Sequence, residues 1–277
     1  MPPSFIAQRA SYFFLCAGPF LAIALVAMRA LRVPVLHVVI GIAVFAMFAT
    51  AIWKLGGRAI CSQNQERRLA VVAGILLVLP FALMALLWVG LGPPWVATPP
   101  ENQLRYVVLV TMAAAVVGGF ATLKEALHLA GERFYSTLGF AAIILAGTFY
   151  LVGESLLIAA FAAAVRTERV PDVFRSLSEF QDILLFLGGV LTYVSTAAFA
   201  FSLRHAGWLG RRVAAIFVVI CIVSAGCLVV RGLQFPDPSA LLAPWYTVPG
   251  FIAGIPAVPF IIPCLLGVVL LGRADRA

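Results

Sequence analysis

Long apolar runs separated by short polar stretches repeat along the whole chain, at about residues 11–29, 34–54, 69–92, 105–123, 138–164, 182–203, 213–232 and 250–272. Each is close to the roughly 20 residues that a helix rising about 1.5 Å per residue needs to cross about 30 Å of hydrocarbon. The polar residues gather between these runs, where water or lipid headgroups can take them. The pattern predicts an all-α fold, a polytopic transmembrane helix bundle of about eight spans. No soluble domain, linker or low-complexity tract interrupts it, so residues 1–277 read as a single integral membrane domain. Two halves of four helices show no common register, which gives no support to an inverted-repeat architecture.

Composition agrees with this reading. Hydrophobic residues make up 63% of the chain and charged residues 11%, and the mean hydropathy is +1.08, outside the usual balance of soluble domains. The formal charge of +8 does not form a basic stripe with interleaved aromatics, so nucleic acid is not an expected partner. The basic residues instead set orientation. They favour the N-terminus, the second, fourth and sixth loops and the C-terminus, with Lys54, Arg58, Arg67 and Arg68 in the second loop alone. Positive charge stays inside, so both termini are expected in the cytoplasm. Apart from Lys54 and Lys124 every basic residue is arginine, and with the richness in Ala, Val, Leu and Gly this suggests a bacterial inner-membrane protein surrounded by lipid. The stretch from Tyr12 to Met28 is read as a retained span rather than a signal peptide, because no small-residue cleavage site precedes Arg29 and Arg32. The cysteines Cys16, Cys61, Cys221, Cys227 and Cys264 form no CxxC pair and indicate neither a disulfide framework nor a zinc site. The outer connection from Val165 to Gln181 places Val170, Val173, Phe174, Leu177 and Phe180 at helical spacing behind Pro171, which predicts an interfacial helix over 170–180.

Candidate chemistry lies inside the spans. Glu154 is the one acidic residue deep in an apolar run, and a carboxylate there is costly unless protonated or paired, so it should face the protein interior. Thr148 and Ser155 lie on the adjoining helical stripe and widen a narrow polar face. Two readings stand: a proton or cation site, or a helix-to-helix hydrogen bond. Asp182, Gly189 and Thr196 recur at intervals of seven, Gly188, Thr192 and Thr196 at intervals of four, and Ala114, Gly118 and Thr122 repeat the latter spacing. Small residues so placed let helices approach closely. Arg231 ends the seventh run, where it snorkels to the interface or pairs with Asp237 or Glu154.

The last run holds Pro249, Pro256, Pro259 and Pro263 on one helix face. Proline lacks the amide donor, so the carbonyls of Ile252, Ile255 and Pro259 are expected to lose their intrahelical partners. Such carbonyls line a cavity or are closed by hydroxyl groups of neighbouring helices. Glu125, His128 and Glu132 in the fourth loop have the spacing of half a di-iron site, but no second copy exists, and a solvated loop is the plainer reading. His37, His128 and His205 lie near different helix ends and do not suggest a haem site. Neither HExxH, GxSxG, a paired DxxxD motif nor a P-loop is present, and no metal or cofactor is expected.

The segment FSLRHAGWLGRRVAAIFVVICIVSAG resembles a domain-of-unknown-function family of bacterial multi-span membrane proteins, in which a cytoplasmic turn rich in Arg, Gly and Trp joins two late helices. The resemblance covers about the last third of the chain, supplies no catalytic residues, and implies the membrane class. Three functions fit the residues. The first is a small-molecule or ion carrier or sensor built on Glu154 and the proline series. The second is a non-catalytic subunit or assembly factor bound to another membrane protein, and the third is a lipid-modifying enzyme, though no nucleophile and base are paired. The first alone uses both the buried acid and the prolines.

Overall fold

A computed structural model describes residues 5–27, 34–89, 91, 97–167, 174–232, 252–255 and 257–274. The structure is all-α. Helices α1 (Phe5–Ala27), α2 (Pro34–Ile60), α3 (Gln65–Leu87), α4 (Pro99–Leu129), α5 (Phe134–Thr167), α6 (Phe174–His205) and α7 (Arg211–Gly232) precede a 3₁₀ turn (Val258–Phe260) and α8 (Ile261–Ala274). Among the described residues seven helices are long and apolar enough to cross a membrane. The protein is therefore a multi-pass membrane protein and a helix bundle.

Helix ends are set by local chemistry. Asn64 caps α3, its Oδ1 accepting the Arg67 amide at 3.1 Å. At α4, Glu101 Oε2 accepts from the Thr98 amide at 2.6 Å and from its hydroxyl at 2.8 Å, a capping box followed by Pro99 in the first turn. That cap starts α4 well before the apolar run near residue 105, so the 31-residue helix overhangs the hydrocarbon thickness. Helices α4 and α6 both stop in Schellman motifs. Glu132 and Gly131 donate to the carbonyls of Leu127 and His128, and Trp208 and Gly207 to those of Leu203 and Arg204; Gly131 and Gly207 supply the positive φ, 87° and 70°.

The chain forms two compact units. One comprises Met1–Ala126 with Pro263–Ala277, the other Leu127–Ile262. In the first, α2 packs on α3 and α1 lies against both. Helix α3 is the most enclosed of the seven long apolar helices, and its backbone meets α8 directly. A Cβ added to Gly74 would stand 2.9 Å from the Gly267 carbonyl, and one added to Gly267 2.8 Å from the Gly74 carbonyl. Lipid provides no hydrophobic drive for helix association, so close backbone approach at small residues supplies much of the cohesion.

In the second unit α5 and α6 form the most extensive pairing, α7 packs on α6, and the 3₁₀ turn also meets α6. Two expectations change here. The stretch foreseen as an interfacial helix is, from Phe174 onward, the opening of α6 itself; residues 170–173 lie outside the described residues. No glycine or proline separates Phe174 from Gln181, so the helix runs on into the apolar span. The final run is not one helix either. Ile252–Ile255 is followed by Ala257 at φ 80°, the 3₁₀ turn and only then α8.

The Gly74–Gly267 approach makes a stability prediction. Gly267→Val should lower stability by about 1–3 kcal/mol through overpacking, read as an earlier thermal transition in detergent. Gly226→Ala, where an added Cβ meets nothing within 4 Å, should leave the transition in place or raise it.

Candidate functional site

The buried face of α5 carries Ile143, Ala146, Tyr150, Glu154, Leu157, Phe161 and Ala164 at three- and four-residue steps. Glu154 sits on this stripe and is 1% exposed. Its partner comes from α6, where Gln181 Nε2 donates to Glu154 Oε2 at 3.2 Å. Gly153 faces α6 at this level, where an added Cβ would make ordinary contact with Gln181 Cγ and Leu184 Cβ at 3.4 Å. The second carboxyl oxygen, Oε1, is buried without a hydrogen-bond partner among the described residues.

One turn away, the Tyr150 hydroxyl lies 3.3 Å from Thr192 Oγ1. Thr192 gives its own hydrogen to the Gly188 carbonyl at 2.7 Å, so Tyr150 donates in the shared bond. Gly188 accepts the tyrosine ring, which an added Cβ would approach to 3.0 Å. That ring makes a T-shaped pair with Phe260 of the 3₁₀ turn, centroids 5.2 Å apart. Tyr193 donates to the Ala253 carbonyl at 3.1 Å. The acid and the broken C-terminal segment therefore belong to one continuous interior of the second unit, joined through Tyr150.

The residues anticipated from the sequence are distributed differently. Thr148 and Ser155 are exposed, and Thr148 bonds back to the Ile144 carbonyl at 2.9 Å; the polar face beside Glu154 is not formed by them. Asp182 is also exposed. It follows Gln181 by one residue, a rotation of about 100° around the helix, which turns it off the face that meets Glu154. Arg231 is half-buried and lies against Gly254, whose added Cβ would be 2.9 Å from Nη1.

The prolines act at helix starts. Pro259 lies within the 3₁₀ turn and Pro263 in the first turn of α8, where a missing amide donor costs little; Pro256 lies outside the described residues. The Ile252 and Ile255 carbonyls are not orphaned, because the Ile255 and Val258 amides take them at 3.2 and 2.9 Å. The carbonyl that receives a side-chain donor is that of Ala253, and the donor is the Tyr193 hydroxyl.

Two buried groups, Gln181 and Arg105, are not marked by the apolar pattern, and a third, Glu132, takes a different role from the one its spacing suggests. Gln181 opens the buried stripe of α6 that continues through Leu184, Leu185, Gly188 and Thr192, and its place on that stripe is the signal that could have found it. Arg105, 4% exposed, donates to Asn102 and holds its guanidinium 5.8 Å from the Trp88 ring. Glu132, foreseen on a face with Glu125 and His128, instead caps α5. Its Oε1 accepts the Tyr135 amide at 2.8 Å and its Oε2 the Ser136 amide at 3.2 Å, and Ser202 of α6 donates to Oε2 as well. Burial raises the pKa of this carboxyl, but the hydrogen bonds from Ser202, Tyr135 and Ser136 outweigh it and hold the group below its ordinary 4.5.

Comparison with protein-family models, with curated proteins and with solved structures finds no match for this chain, so the site is read from its own geometry.

Two outcomes follow. Tyr193→Phe leaves the buried Ala253 carbonyl without its donor and should cost about 1–3 kcal/mol, seen as a lower thermal midpoint. Because folding depresses the Glu132 pKa, its stabilisation is complete above pH 4.5 and is lost as pH falls through the lower folded value. Acid titration of stability should therefore be flatter in Glu132→Gln than in the parent, and an unchanged acid slope would remove this role.

Proposed function

We propose that this protein is a proton-linked carrier or sensor of a small molecule or ion, with Glu154 as the group that exchanges a proton or cation. The observation that supports the reading is the half-satisfied carboxyl. Oε2 accepts from Gln181, while Oε1 is enclosed with no donor among the described residues. In a low-dielectric interior that oxygen needs a proton, a cation or a solute donor, since an uncompensated polar atom there is costly. A purely structural bond between helices would more simply use two amides. Tyr150 then links the acid to the broken C-terminal segment, so a change of charge at Glu154 is felt by the least regular part of the unit.

In this reading the segment ending in α8 is an eighth crossing, both termini face the cytoplasm, and the membrane is the bacterial inner membrane. Basic-residue placement and composition support these assignments. The proposal does not require an enzyme.

Reconstitution tests it. In liposomes carrying an internal pH indicator, the parent should support proton-coupled flux or pH-dependent solute binding, and Glu154→Gln should abolish the pH dependence. Glutamine keeps the shape and accepts the Gln181 hydrogen bond, so the variant is expected to fold; Ser155→Ala, exposed beside it, should behave as the parent. In difference infrared spectra the carboxyl band that changes with pH should vanish in Glu154→Gln. Identical pH profiles for parent and Glu154→Gln would refute the mechanism.

A further inference from the structure

Away from the buried acid, the second unit opens a cleft of about 460 Å³ lined by Ala130, Gly131, Glu132, Arg133, Phe134, Tyr135, His205 and Ala206. It is built by the two Schellman ends, which turn the chain sharply after α4 and after α6 and leave a hollow between them. The volume lies in the range of small-ligand sites.

Its polar groups are unequal in availability. Glu132 is consumed by two backbone amides and Ser202, and by the same bonds it occupies the first amides of α5, so that helix N-terminus is already closed. The Arg133 guanidinium is exposed, and among the described residues no carboxylate pairs with it. His205 directs Nδ1 to the Phe201 carbonyl at 2.9 Å. A carbonyl only accepts, so Nδ1 carries the hydrogen, and in the neutral ring Nε2 is then the acceptor. Tyr135 packs against this imidazole, its ring stacked with Phe201 at 5.7 Å and tilted against His205 at 4.9 Å.

The cleft thus offers a cation beside a hydroxyl acceptor. At its lip, Phe134 is 68% exposed and Leu138 on the same helix 52% exposed, an apolar rim suited to acyl chains. Basic pockets at the ends of membrane helices take anionic headgroups.

We propose that this cleft binds an anionic, hydroxyl-bearing phospholipid such as phosphatidylglycerol. Arg133 holds the phosphate, His205 Nε2 accepts a headgroup hydroxyl, and Phe134 and Leu138 receive the chains. The site is separate from Glu154 and does not depend on the carrier reading. The surrounding bilayer is a general solvent; this is a defined position for one lipid class.

Native mass spectrometry of the full chain in detergent tests it, titrating phosphatidylglycerol, phosphatidylcholine and inorganic phosphate separately. Phosphatidylglycerol should bind in preference to phosphatidylcholine, and excess inorganic phosphate should fail to displace it. Arg133→Gln should weaken phosphatidylglycerol binding roughly fivefold, and His205→Phe, which keeps the ring stack, should reduce the preference for the hydroxylated headgroup. Arg212→Gln, the same charge change at an exposed residue outside the cleft, should bind as the parent. Equal binding of the two lipids, equal losses in Arg133→Gln and Arg212→Gln, or displacement by inorganic phosphate would each overturn the assignment.

Discussion

In hydrocarbon a polar atom has no water to turn to, and every donor and acceptor must find its partner within the chain or its ligand. That constraint shapes the second unit more than any other. The threonines of α6 give their hydrogens to carbonyls one turn back, Thr192 to Gly188 and Thr196 to Thr192, each at 2.7 Å. Tyr150 and Tyr193 reach between elements to Thr192 and Ala253. Where the C-terminal segment leaves helical geometry, its freed carbonyl is met by a phenol rather than left to solvent. Against that economy two enclosed atoms of the α5–α6 pair stand out, Glu154 Oε1 and Ser195 Oγ, neither with a hydrogen-bond partner among the described residues; of the two only the first belongs to an ionisable group.

Packing obeys a related rule. Since lipid tails are as apolar as leucine, helices gain little from burying large side chains against one another and more from close fit. Gly153 and Gly188 both face the α5–α6 interface, and at Gly188 the missing side chain leaves space for the Tyr150 ring. Gly189 faces the other way, toward Leu228 of α7 and Pro259. The interval-of-four pattern on α6 is thus a packing device and a polar one together: removing the side chain at Gly188 lets a tyrosine hydroxyl enter the interface at Thr192.

Hydropathy made the helical architecture legible because bilayer thickness imposes a length and a uniform apolar character that short polar loops interrupt. The buried acid was also legible, since a carboxyl inside an apolar run has few inexpensive positions. Its surroundings were harder to read. Asp182 carries more charge than Gln181 and drew attention, but one residue is about 100° of helix, and only the buried stripe of α6 decides which of them faces Glu154. The helix ends misled for a similar reason. Glu101 with Thr98 extends α4 before its apolar run, and Phe174–Gln181 extends α6, because capping and propensity govern ends that hydropathy ignores. The prolines announced a break correctly, yet local turns absorbed two of the carbonyls expected to be free, those of Ile252 and Ile255.

The position of the polar contacts along α6 bears on how the site could open. Gln181 and Ser202 are separated by 21 steps of about 1.5 Å, roughly the full hydrocarbon thickness, and each is tied to α5 or to its cap through Glu154 or Glu132. With the Tyr150–Thr192 bond between them, α5 and α6 are pinned near both ends and in the middle. Separating them would expose several buried polar groups at once. Among the described residues, the segment from Ala253 to Phe260 meets the same pair through the Tyr193 phenol bond, the Tyr150–Phe260 ring contact and the fit of Pro259 over Gly189. On the carrier reading proposed above, Tyr193 and Tyr150 are the residues that would link protonation of Glu154 to a movement of this segment.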